Sequence, residues 1–105
     1  MEINTAADRQ WTDTDYPGVQ RSLFRNNAAG GRTSVVRLAA GSRVPRHVHE
    51  GSEEVLVLRG RVRIGGAELD EGDYLFTEAG EEHDVEGVTD AVIFVSSQKR
   101  ISVVE

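Results

Sequence analysis

The chain has 105 residues, with 12 Lys and Arg against 18 Asp and Glu, a net charge of −6. That length suits one domain over residues 1–105, and an acidic chain with no basic run argues against nucleic acid as a partner. Cys is absent, which excludes disulfides, thiol catalysis and Cys-ligated zinc.

In chain order, residues 4–10 offer at most one helical turn. Thr33-Ser34-Val35-Val36-Arg37-Leu38 is rich in β-branched residues and reads as a strand ending at Gly41. Glu54 to Leu58 reads as a strand covered on both faces, ending at Gly60. Arg61-Val62-Arg63-Ile64 alternates charged and apolar residues, as a half-exposed strand does. Gly65-Gly66 is a hairpin signal, and Ala67-Glu68-Leu69 returns from it. Tyr74 to Thr77, Ala91 to Ser96 and Ile101 to Val104 complete the strands. Tyr74, Phe76 and Phe94 are expected in the core or wall. Turns recur roughly every ten residues, which predicts a compact all-β domain, an antiparallel sandwich or small barrel. No run approaches the ~20 apolar residues of a membrane helix, and the first residues lack a signal pattern. The expectation is a cytoplasmic protein with no membrane association.

Only three His are present, His47, His49 and His83. In a strand, His47 and His49 project from one face. Glu53 follows after Gly51 and Ser52, which permit a bend, and could enter the same interior. Three imidazoles and a carboxylate suit a first-row divalent metal. From spacing alone, ordinary surface or core histidines explain the pattern equally well.

Gly41, His47, His49, Glu53 and Gly60 fill every fixed position of G-x5-H-x-H-x3-E-x6-G, the first cupin motif. The second motif, G-x5-P-x-G-x2-H-x3-N, is partly filled by Gly72, Gly80 and His83. Glu78 stands at the Pro position and Gly87 at the Asn position. The stretch His47 to Gly60 further resembles the cupin domain of bacterial ChrR-type anti-sigma factors, as do Trp11, Pro17-Gly18-Val19 and Leu23. The resemblance implies an all-β cupin fold, a jelly-roll-like antiparallel β-barrel. It also implies that His47, His49, Glu53 and His83 bind one divalent transition metal ion, be it Fe, Mn, Ni, Co, Cu or Zn. On that expectation His83 reaches the ion from across the barrel, and Glu54 faces away from it. ChrR-type factors grip their sigma factor through a separate Cys- and His-containing zinc domain. Without Cys, an anti-sigma role is not expected here.

Two functions fit. The first is a metal-dependent oxygenase or isomerase acting on a small organic substrate. The second is a non-catalytic sensor or regulatory module that holds a metal and a small-molecule ligand. No acid or base is assigned, and Glu50, Glu54 and Tyr74 are no more than candidates. Arg37 is read either as an anchor for a carboxylate ligand or as an outer-face salt bridge. Arg59, Arg61 and Arg63 read as solvent-facing strand residues. Ile101, Val103 and Val104 would leave an apolar edge in a monomer, so a homodimer is expected.

Overall fold

A computed structural model describes residues 1–105. The chain begins with a 3-10 turn at Ala6–Asp8 and continues as strands. These are β1 (Thr12–Asp13), β2 (Val19–Asn26), β3 (Arg32–Leu38), β4 (Arg43–His49), β5 (Glu53–Arg59) and β6 (Val62–Ile64). Then come β7 (Ala67–Leu69), β8 (Tyr74–Thr77), β9 (Glu82–Gly87), β10 (Ala91–Ser97) and β11 (Ile101–Val103). No helix is long and apolar enough to cross a membrane.

The strands form two antiparallel sheets. One has the order β1-β2-β3-β10-β5-β8, the other β11-β4-β9-β6-β7. This corrects the expected closed barrel. No ladder pairs a strand of one sheet with a strand of the other, so side-chain packing joins the layers. Val36, Leu38, Val55, Val57 and Ile93 from the first sheet meet Val62, Ile64 and Val85 from the second in one core. Burial of such apolar surface stabilises the pair of sheets at roughly 25 cal/mol per Å².

The period-2 pattern explains which side chains reach that core. Along β5, Glu53, Val55 and Val57 are buried while Glu54 and Leu56 are exposed. On β8 the outward set contains Tyr74 and Phe76, both about half exposed (55% and 50%), contrary to the expected core placement. Phe94 is half-buried and meets Phe24, with ring centroids 6.4 Å apart. Arg37 also points outward, where it bonds Gln20 and stacks 4.3 Å over Trp11, so it anchors no buried ligand. Arg61 pairs with Asp70, and Arg63 with Glu68 and Glu86, on exposed surface.

One close backbone approach sets the end of β10. A Cβ on Gly31 would lie 1.9 Å from the Ser97 carbonyl oxygen. Only a residue without a side chain fits there. The Gly31 N–H donates to Gln98 O (3.1 Å), and the Asn27 amide donates to Ser97 O (2.7 Å). Ser97 is thereby fixed beside Glu53, its partner across the β10–β5 ladder.

Candidate metal centre

His47, His49 and His83 converge on the inner face of the five-stranded sheet, and all three are buried. Their available ligand atoms lie within 4.8 Å of one another, and their ring centroids are 4.5–5.0 Å apart. His47 and His49 share a face of β4 because they are two residues apart. His83 on β9 is the direct cross-strand neighbour of His47. It therefore stands beside His47 in the same sheet, not on the opposite wall as expected from sequence.

Glu53 comes from the facing sheet. It is buried at the start of β5, with Oε1 3.3 Å from His49 Nε2. Ser97 Oγ donates to Glu53 Oε2 at 2.7 Å. Glu53 lies outside the tight group formed by the three imidazoles and approaches it through His49. Glu54 points to the outer surface, where Tyr74 Oη donates to it at 2.7 Å. Glu54 and Tyr74 thus occupy each other away from the histidines.

Backbone carbonyls orient two of the rings. His47 Nδ1 lies 2.8 Å from Pro45 O, and His49 Nδ1 lies 3.1 Å from Glu81 O. A carbonyl can only accept, so each Nδ1 carries the proton, and the neutral ring keeps its lone pair on Nε2. This arrangement is the one that presents an imidazole to a metal. The turn before β9 is held by the same residues. His49 N donates to Glu81 O (3.0 Å), and Gly80 N donates to His49 O (2.7 Å). Glu78, at the family's Pro position, donates its backbone N–H to Glu81 Oε2 at 2.6 Å. Proline has no such donor, so here a side-chain bond replaces the ring as the device that fixes the turn.

The donor set fits a cation. Nε2 of His49 and Nε2 of His83 are buried without a hydrogen-bond partner, which is costly unless something binds them. The 3.3 Å approach of His49 Nε2 to Glu53 Oε1 is a close charge contact that lacks hydrogen-bond alignment. Two lone-pair-bearing atoms at that distance need a proton or a metal ion to reconcile them. The protonation equilibria follow. Burial opposes charge on His49, but the Glu53 carboxylate outweighs it and raises the pKa. Burial, reinforced by the other two imidazoles, pushes His83 down to about 4. Burial also lowers His47, against the pull of the Pro45 carbonyl. For Glu53, burial opposes ionisation, but the neighbouring His49 ring and the Ser97 hydrogen bond hold the carboxyl below its usual range.

A sequence signal missed Ser97. Nothing in the Ser96-Ser97 pair at the end of an apolar strand marks Ser97 as a partner of a carboxylate 44 residues away.

The family profile described as "ChrR Cupin-like domain" matches residues 1–100. Among curated proteins, the chain is 32% identical over 98 residues to the DNA damage-repair/toleration protein DRT102 of Arabidopsis thaliana. That match covers 87% of this chain and 31% of the relative, so the chain spans about a third of its length. An acetylacetone dioxygenase from Acinetobacter johnsonii superposes with a TM-score of 0.78 at 15% identity, covering 100% of this chain and 83% of that one. The anti-sigma ChrR, in its complex with Rhodobacter sphaeroides SigE, gives a TM-score of 0.75 at 23% identity, covering 89% of this chain and 50% of that one. At these identities the structural likeness is one of fold. The match along almost the whole sequence, with the motif histidines gathered on one inner face, makes this chain a member of the ChrR cupin-like family.

Proposed function

We propose that His47, His49, His83 and Glu53 bind one divalent transition metal ion, and that the chain acts through it on a small organic substrate as an oxygenase or isomerase. The observation carrying this reading is the pair of buried, unpartnered Nε2 atoms whose rings converge opposite a buried carboxylate. When bound, such an ion supplies Lewis acidity and open positions for a chelating substrate or oxygen. The chain's own contribution is orientation. Pro45 O and Glu81 O hold two rings with Nε2 inward, and Ser97 holds Glu53. The likeness of fold to the acetylacetone dioxygenase supports the catalytic reading. Aerobic turnover of a dicarbonyl or phenolic compound by the Fe(II)-loaded protein tests it.

The family profile favours a second reading, a metal-holding sensor module of the ChrR kind. Metal uptake with no turnover, together with a ligand-dependent change of partner, would support that reading. In either case the chain is taken as a single unit over residues 1–105 that forms a homodimer. Exposed Ile101 and Val103 on edge strand β11 support the pairing. Light scattering that gives a monomer mass at every concentration would refute it.

A further inference from the structure

A cavity of about 460 Å³ opens between the sheets, and Glu53 and Ser97 form part of its wall. Its rim carries Arg21, Arg32, Lys99 and Arg100. Four cations thus share one cavity with a single carboxylate in a chain whose net charge is −6. Of the other eight cations, Arg43, Arg46, Arg61 and Arg63 are neutralised by acidic partners, and Arg9, Arg25, Arg37 and Arg59 are not. None of the four cavity cations forms an ion pair. The single carboxylate in the wall is already engaged by Ser97 and His49.

Arg21 is the informative member. It lies opposite Val36 in the β2–β3 ladder, and Val36 belongs to the core. Side chains of directly paired residues share a face, so Arg21 is on the inward side of its sheet. It is half-buried. Burial, and then the like charge of Arg32, lower its pKa, yet a guanidinium stays charged in proteins. An inward, half-buried, unpaired arginine beside a second arginine is costly by itself. A bound anion removes that cost. Arg32 opens β3, while Lys99 and Arg100 come from the turn between β10 and β11, so the charges approach from two sides. Lys99 is packed against Gly51, where a Cβ would lie 3.0 Å from its Cγ. Arg100 lies beside Gly30, with Cγ 3.7 Å from the corresponding position there. Val95 and Ile101 add apolar wall for a carbon skeleton.

We infer that this cavity binds a small organic carboxylate, held by Arg21, Arg32, Lys99 and Arg100 with its other end directed at Glu53. This deepens the proposed metal centre by naming the substrate class, and rests on that reading only for the role of the Glu53 end. None of the four cations belongs to that centre.

The test is calorimetric titration of the metal-free full chain at fixed ionic strength. The probes are malonate and salicylate, their neutral amides, and sulfate. The expected result is saturable binding of at least one carboxylate, about tenfold or more tighter than its amide and than sulfate. Arg21→Met should weaken it about tenfold or more. So should the double change Lys99→Met with Arg100→Met, which lies in an exposed turn and keeps the test valid if Arg21→Met does not fold. Arg59→Met, away from this cavity, should leave binding unchanged. Four results would overturn the inference. These are no saturable binding by either carboxylate up to about 10 mM, equal affinity for acid and amide, sulfate bound as tightly, or unchanged affinity in the cavity variants. Zinc uptake, measured separately by elemental analysis, distinguishes the two readings. Zinc uptake without carboxylate binding overturns this inference alone, whereas carboxylate binding without zinc uptake overturns the metal centre alone.

Discussion

Ser97 and Glu53 face each other across the β10–β5 ladder, and the Ser97 hydroxyl donates to Glu53 Oε2 at 2.7 Å. One sheet supplies the carboxylate and its clamp, while the other supplies all three imidazoles. An ion held by both sets would link the two layers across their packed interface.

Removing the clamp should therefore weaken the centre without destroying the fold. Ser97→Ala is expected to lower zinc affinity about tenfold or more, the usual cost of losing an outer partner of a ligand. Ser97→Thr, which keeps the hydroxyl, should retain most of it. Competition against a chromophoric chelator measures both.

Metal should also act as a cross-link between the sheets. Saturating zinc at about 100 times its Kd is expected to add about 2.7 kcal/mol to stability. Thermal melts with and without zinc check this, and the shift should vanish in His49→Ala. A shift retained in that variant would mean that the ion acts elsewhere.

The metal-free protein should lose stability in mild acid. His83 is held near 4 in the fold against an ordinary 6.5, so the unfolded chain takes up its proton first. That contribution is complete above about pH 6.5 and is lost as pH falls from there toward about 4. His47, also lowered, adds in the same direction. His49 is raised by Glu53, so its contribution is present below 6.5 and lost as pH rises through its folded value. His83 carries the one large shift of the three, so a net loss is expected between pH 7 and 5. Urea midpoints at the two pH values test this, and His83→Asn should reduce the difference.

Part of the centre is legible in sequence because a strand has a period of two. The spacing His47-x-His49 puts both rings on one face, and the motif register points to Glu53 rather than Glu54; on β5 Glu53 is buried and Glu54 exposed. Sheet closure is not legible, because local sequence does not state which strands pair across the molecule. The cross-strand pairing of His47 with His83 is a fact of that kind. β2 (Val19–Asn26) escapes a reading by alternation for a different reason. Its inward positions include Arg21, and its register shifts between Leu23 and Arg25. The inward Arg21 that breaks the alternation is also the β2 residue that lines the cavity. Tyr74 and Phe76 mislead in the opposite sense, since their aromatic character suggests core while the period of β8 turns them outward.

Gly31 and Gly66 should respond differently to alanine. At Gly31 the new Cβ would meet the Ser97 carbonyl at 1.9 Å, so Gly31→Ala is expected to cost about 3 kcal/mol or more and to disturb Glu53 through Ser97. At Gly66 nothing lies within 4 Å and only the positive φ of 84° resists, a cost of about 1 kcal/mol. Urea denaturation of the two variants separates steric from conformational strain.

The most direct test of the central claim is elemental analysis of the protein purified without chelators or a histidine tag, alongside His47→Ala, His49→Ala, His83→Ala, Glu53→Gln and Glu54→Gln. The account predicts close to one transition-metal ion per chain, lost sharply in each histidine variant, reduced in Glu53→Gln and unchanged in Glu54→Gln. Metal content unaffected by all three histidine substitutions, or lost in Glu54→Gln and kept in Glu53→Gln, would contradict it.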